Sequence, residues 1–231
     1  MMIHVDPDTL VSYVGSHLDM GPLPAAFYFS LSAEDSLGLD PFNQPVQFLS
    51  KLPIRVFSLT LPAHEDKKDP HKAMSIWQEN PHLVEEFITH AKTVIYRLLE
   101  KGVLIPEQLA IFGLSRGGFI AAHLAAHIAE FKTLLAFAPL TQFDHMSIEG
   151  LSDKLFDRKV RFYIGNHDTR VGTDHCFHFI NKLSKTAFEK GIRSPQVELI
   201  ISPSTGQYGH GTPKEIFFQG AEWLAKQLGV L

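Results

Sequence analysis

One cysteine in 231 residues leaves no internal disulfide to be made. That excludes the stapled scaffolds of small secreted domains and leaves the fold to be held by its core. Long apolar runs are missing too: the longest, such as 133–139, are strand length, well short of the roughly 18 residues a membrane span needs. Positive charge is not in excess, since 21 Lys and Arg face 25 Asp and Glu for a net charge of −4. A chain so balanced has no basic surface for nucleic acid or an anionic membrane, and neither is expected as a partner. The N-terminal Met1-Met2-Ile3-His4-Val5-Asp6-Pro7 carries neither the basic nor the apolar region of a signal peptide, so the expected location is the cytoplasm. Internal repeats, low-complexity tracts and a dividing linker are also absent from the sequence.

What is present is a hydrophobic content of 45%, enough for one globular α/β domain. Residues 1–24 form an N-terminal segment of mixed signals, in which 8–14 reads as a capped helical turn or a strand. The domain proper is expected over 25–231. Apolar, β-rich runs predict strands at 25–31, 54–61, 109–112, 133–138, 160–164 and 197–202. Helical periodicity predicts helices over 81–102, after the elbow described below, over about 174–190 and over 213–228. Residues 32–45 and 63–80 read as loops rich in Gly, Pro, Asp and Asn. Such alternation predicts an α/β fold: a mostly parallel sheet of about six to eight strands with helices on both faces. Ligands bind such sheets outside the carboxyl ends of the strands.

One junction stands out. The run Leu109-Ala110-Ile111-Phe112 turns at Gly113-Leu114-Ser115-Arg116-Gly117 into an Ala-rich segment whose small residues Gly118, Ala122, Ala125 and Ala129 share one helical face. This is a G-x-S-x-G pattern in strand-turn-helix context, in which the glycines let a sharp turn present the serine at a helix N-terminus. A serine nucleophile needs a base to take its proton and a third group to orient that base. The loops after the next strands supply candidates: Gly165-Asn166-His167-Asp168-Thr169-Arg170-Val171 and Gln207-Tyr208-Gly209-His210-Gly211-Thr212.

In these residues the chain resembles the α/β-hydrolase superfamily, in the lidless style of dienelactone hydrolases and prolyl-oligopeptidase-type catalytic domains. Gly113-x-Ser115-x-Gly117, Gly165-x-x-Asp168-x-x-Val171 and a Gly-flanked His210 before the last helix carry the resemblance, from about residue 25 onward. It implies a triad of Ser115, Asp168 and His210, in the chain order of that superfamily. It also implies an oxyanion hole with the Arg116 amide as first donor. The second donor comes in such proteins from the loop after the first firm strand, often with His-Gly; here Phe29-Ser30-Leu31-Ser32-Ala33 stands instead. Leu31 or Ser32 could serve, and Ser32 is the expected one. Asp144, after the preceding strand, is an alternative acid, but Asp168 closes the Gly-x-x-Asp pattern.

The activity implied is a serine hydrolase acting on a carboxylic ester through an acyl-enzyme, with a small acyl substrate and water as reactants and no cofactor. Peptidase, thioesterase and acyltransferase chemistry use the same machinery. A hydrolase fold kept only for binding is the contrasting reading, and its usual mark would be a missing triad member. The stretch 140–159 is too short for a helical cap, so an open site is expected, walled by 35–45, 64–77 and 140–155. Phe42, Trp77 and Phe143 are candidates to line it, and the Arg116 side chain is a candidate to meet an acidic part of the substrate. His123 and His127, spaced i, i+4, and His175 and His178 around Cys176 lack the carboxylate context of a metal site; no metal is expected.

Overall fold

Strands covered on both faces must be apolar at nearly every position, and residues 25–29, Ala-Ala-Phe-Tyr-Phe, meet that demand in full: all five are buried. Phe27 and Phe29 point into one core, Ala26 and Tyr28 into the other. The same alternation recurs at 109–112, 134–137 and 160–163.

The computed structural model describes residues 1–65 and 72–231. Its strands are β1 (Met2–Asp6), β2 (Thr9–Gly15), β3 (Leu23–Phe29), β4 (Arg55–Ser58), β5 (Leu104–Leu114), β6 (Phe131–Phe137), β7 (Gln142–Phe143), β8 (Met146–Ser147), β9 (Lys159–Gly165) and β10 (Val197–Ser202). The helices are α1 (Ala33–Gly38), α2 (Gln44–Leu49), α3 (Ala73–Glu79), α4 (His82–Glu100), α5 (Arg116–His127), α6 (Ser152–Leu155), α7 (Thr173–Glu189) and α8 (Lys214–Gln227). Eight strands form one sheet in the order β1-β2-β4-β3-β5-β6-β9-β10. β2 runs antiparallel to both β1 and β4, and every other neighbouring pair is parallel. α4, α5 and α7 cover one face; α2 and α8 cover the other. The α/β sheet architecture read from the sequence is therefore the one found, at eight strands.

Several local expectations are corrected. The segment 1–24 supplies β1 and β2, so its ambiguous 8–14 stretch is a strand whose Val11 and Tyr13 are buried. The loop expected over 32–45 contains α1, because Ser32 accepts the Asp35 amide on its side chain and caps a helix there. The strand expected over 54–61 spans only Arg55–Ser58. Within 63–80, Ala73 and Trp77 are fully buried on one side of α3, while 66–71 lie outside the described residues. Ala129 does not share the small-residue face, since α5 ends at His127 and Ala129 is exposed. Residues 140–159 hold the small β7–β8 hairpin and α6, packed down through Phe143, Ile148 and Leu155. Among the described residues, no helix is long and apolar enough to cross a membrane.

One polar group is built into the sheet itself. Arg55, at the start of β4, is fully buried, and its guanidinium donates to the carbonyls of Ser16 (3.1 Å), Val103 (2.6 Å) and His17. Two chain segments, the one leaving β2 at Ser16 and His17 and the one entering β5 at Val103, are thereby tied to one side chain. Arg55→Met removes three hydrogen bonds donated by a buried, charged group. It should lower unfolding free energy by about 3 kcal/mol or more, read as a fall in urea midpoint at unchanged slope.

Candidate active site

The turn from β5 into α5 is drawn so tight that it has room for no side chain at two positions. A Cβ on Gly113 would lie 2.2 Å from the Gly117 carbonyl carbon, and one on Gly117 would lie 1.9 Å from the Phe29 carbonyl oxygen. The two glycines thus close the elbow on itself and against the end of β3. Ser115 between them takes φ 54° and ψ −117°, a backbone conformation that costs free energy and persists only where its surroundings hold it. They do: the Ser115 amide donates to Phe137 O at 2.8 Å, and its carbonyl accepts from Leu140 at 3.0 Å.

Asp168 and His210 arrive on two loops fastened to each other. Ser204 Oγ accepts the His167 amide, Asn166 Oδ1 accepts the Ser204 amide, and Tyr208 O accepts from both the amide and the hydroxyl of Thr169. Gly209 passes so near the His167 carbonyl that a Cβ there would lie 2.2 Å from the oxygen. Zipped together in this way, the loops place His210 Nδ1 2.7 Å from Asp168 Oδ2 and His210 Nε2 2.9 Å from Ser115 Oγ. The other oxygen of Asp168 accepts the amides of Arg170 (3.0 Å) and Val171 (3.1 Å). Asp168's carboxylate is wholly buried and the His210 side chain is 9% exposed. Burial pushes the Asp168 carboxyl up, but the His210 bond and the two amides outweigh it and hold the group below its ordinary value. An ionised Asp168 fixes the imidazole with its proton on Nδ1, leaving Nε2 to accept a hydrogen bond from the Ser115 hydroxyl.

Ser115 and His210 open onto a cleft of about 540 Å³. Phe42 lines it, held in place where the buried Tyr28 hydroxyl donates to the Phe42 carbonyl at 2.7 Å. Trp77 and Phe143 do not line it: they are buried against each other, ring centroids 5.5 Å apart, with the Trp77 indole donating to Pro62 O. Sequence periodicity could not separate core aromatics from cleft aromatics in those segments. Ser32, expected as an oxyanion donor, lies off the cleft as the cap of α1, whereas Ser30 and Leu31 line it. The Leu31 amide donates to Ser36 Oγ at 2.9 Å. In α5 the amide of Arg116 directly follows Ser115 at the helix N-terminus.

The Arg116 guanidinium is 3.0 Å from His64 Nε2 and 5.8 Å from the Trp77 ring centroid. His64 Nδ1 lies 3.0 Å from Pro62 O, so the neutral ring donates there and accepts from Arg116 at Nε2. Burial first, and Arg116 second, hold the His64 imidazole below its ordinary value. Burial, helped by nearby Arg170, lowers Arg116 itself to about 10. His64 belongs to no motif; it is the first residue of 64–77, expected only as a wall of the site. Arg170 and Gln207 also line the cleft; both stand inside the acid and base loops quoted from the sequence, at positions the motifs leave free.

The remaining candidates are occupied elsewhere. Asp144 is exposed and bonded to His145. His127 lies between the His123 carbonyl and Lys154, and the buried His123 is driven down to about 4 by desolvation. The Cys176 thiol is buried, donates to Pro139 O and is pushed up to about 12 by burial. Among the described residues, no group of three His, Cys, Asp or Glu is placed to hold a metal ion.

No protein-family model matches the chain, and comparison with curated proteins finds no match. Solved structures do match in fold. TT1662 from Thermus thermophilus aligns at a TM-score of 0.72 with 16% identity, over 95% of this chain and 93% of that one. A protein of Klebsiella pneumoniae assigned as a dienelactone hydrolase aligns at 0.70 with 12% identity, over 100% and 98%. A cold-adapted esterase from an Arctic intertidal metagenomic library aligns at 0.67 with 16% identity, over 98% and 92%. With its strand order and its serine elbow after β5, the chain has the α/β-hydrolase fold.

Because Asp168 is lowered in the folded state, the unfolded chain takes up its proton first as pH falls. The stability it contributes is complete above about pH 4, the ordinary carboxylate value, and is lost as pH drops through the folded value. Asp168→Asn should therefore narrow the gap in urea midpoint between pH 7 and pH 3 relative to wild type, a comparison that cancels the other carboxylates.

Proposed function

We propose that this protein is a serine hydrolase that cleaves a carboxylic ester through an acyl-enzyme. The observation that carries the reading is the continuous hydrogen-bonded line from Ser115 Oγ through His210 to Asp168, at the carboxyl ends of the strands and beside an open cleft. His210 takes the Ser115 proton as Oγ attacks the ester carbonyl, and the imidazolium that forms is stabilised by Asp168. The oxyanion is met by the Arg116 amide at the N-terminus of α5, where the helix end also favours negative charge. Leu31, at the cleft, stands where a second amide donor is needed. The protonated His210 then hands its proton to the departing alcohol. Water, activated by the same imidazole, releases the acid and restores Ser115.

The esterases and the assigned dienelactone hydrolase among the structural neighbours support an ester over an amide as the bond attacked. We also assign the protein to the cytoplasm, where a lone buried thiol such as Cys176 stays reduced. A fluorophosphonate probe should label wild type and leave Ser115→Ala unlabelled. A folded wild type that takes up no probe would overturn the reading in favour of a binding protein. On p-nitrophenyl esters, Ser115→Ala and His210→Ala should each lose on the order of 10⁴-fold or more in kcat, and Asp168→Asn a loss of similar order.

A further inference from the structure

Arg116, at the N-terminus of α5, and Leu31, in the loop after β3, both line the cleft with Ser115. Residues 60–64, just beyond β4, are bonded to each of them. On the loop side the Leu61 amide donates to the Leu31 carbonyl at 3.1 Å, and Thr60 Oγ1 accepts the Ala33 amide at 3.0 Å. On the helix side His64 Nε2 accepts from the Arg116 guanidinium at 3.0 Å. His64 and Leu61 are themselves joined, the His64 amide donating to the Leu61 carbonyl at 3.0 Å. A continuous line of hydrogen bonds therefore runs from Leu31 through Leu61 and His64 to Arg116.

The middle of that line is rigid. Leu61-Pro62-Ala63-His64 is a β-turn closed by the last of those bonds. Pro62 fixes the first inner dihedral, and Ala63 stands at φ 62°, in the left-handed region that the third position of a type II turn requires. An alanine keeps that conformation only where its surroundings hold it, and here Leu61, Ala63 and His64 are all buried. The Pro62 carbonyl lies 3.0 Å from His64 Nδ1 and accepts the Trp77 indole at 2.9 Å. With Nδ1 donating to Pro62, the neutral ring has Nε2 left as its acceptor, and that atom faces Arg116. His64 does not line the cleft; its imidazole holds Arg116 from behind the site.

We propose that His64 is a positioning residue: acting through Arg116, and joined through Leu61 to the Leu31 loop, it sets the separation between the Arg116 amide and that loop, and with it the fit of the site to the oxyanion. This rests on the serine-hydrolase reading above. Donors serve an oxyanion when they lie about 2.7–3.1 Å from where the oxygen will be, and a misplacement of about 1 Å costs on the order of 10²-fold in rate. The loop after β3 carries no His-Gly, and residues 60–64 supply its fastening. The same five residues reach the far side of the serine, so one segment holds both borders of the hole.

The test combines turnover of p-nitrophenyl butyrate, with kcat counted per site titrated by a fluorophosphonate, and inhibition by an alkyl trifluoromethyl ketone, whose tetrahedral adduct on Ser115 carries an oxyanion. A Ki does not depend on the fraction of enzyme that is folded, so a loss of folded protein alone leaves it unmoved. His64→Ala should raise the Ki about 10-fold or more and lower kcat per site by a similar factor, with KM within about twofold of wild type. His64→Gln, whose side-chain amide can donate to Pro62 and accept from Arg116, should recover most of both. Thr60→Val, which removes the acceptor for the Ala33 amide on the loop side, should shift Ki and kcat in the same direction, and it carries the test if His64→Ala does not fold. An active wild type whose Ki is unchanged in His64→Ala, or in Thr60→Val where that variant carries the test, overturns the proposal and leaves the hydrolase reading standing. A defect that His64→Gln leaves in full does the same. A folded wild type that turns over no ester and takes up no probe overturns both.

Discussion

The backbone contact between Gly117 and the Phe29 carbonyl is the constraint on which the site rests. It forces α5 against the end of β3, and the same closeness brings Gly113 onto Gly117, so that Ser115 is left in a conformation it would not hold alone. Every other part of the site is referred to that point. The strained serine is anchored by the carbonyl of Phe137 at the end of β6 and by the amide of Leu140 just beyond it. Its position relative to the sheet is therefore set by three adjacent parallel strands, β3, β5 and β6.

Two further ties transmit that order outward. On one side the Asp168 and His210 loops are bonded along their length, which fixes the two residues relative to each other. On the other side the Pro62 carbonyl accepts from both Trp77 and His64, and His64 in turn accepts from Arg116. The residue after the serine is thus braced through its side chain by the segment that follows β4. A buried arginine is costly if left without partners; the His64 acceptor and the Trp77 ring face reduce that cost for Arg116.

The cleft has an uneven chemistry as a result. Tyr28 fixes Phe42 and α8 contributes Phe217 to the apolar lining, while the turn that holds Asp168 brings Arg170 to the same cleft. The 140–159 stretch spends its apolar residues packing down onto α5 and α7.

The strands and the two-sided sheet were legible in the sequence because burial on both faces demands unbroken apolar runs, and 25–29, 109–112 and 133–137 are such runs. Ser115, Asp168 and His210 could be named because tight turns at strand ends require glycines at fixed spacing, and those glycines mark the places. The sequence did not mark the roles of Ser32, Trp77 and Phe143, since a polar residue before a loop can cap a helix or face a ligand, and an aromatic ring packs a core as readily as it lines a cleft. Those choices turn on what lies opposite: the Asp35 amide for Ser32, and the two rings on each other for Trp77 and Phe143. The same holds for His64 and Arg170, whose neighbours come from 52 residues away in one case and from the touching of two loops in the other. Local chemistry wrote the elements and the turn positions into the chain; only the packing of distant segments decided which side chains met at the site.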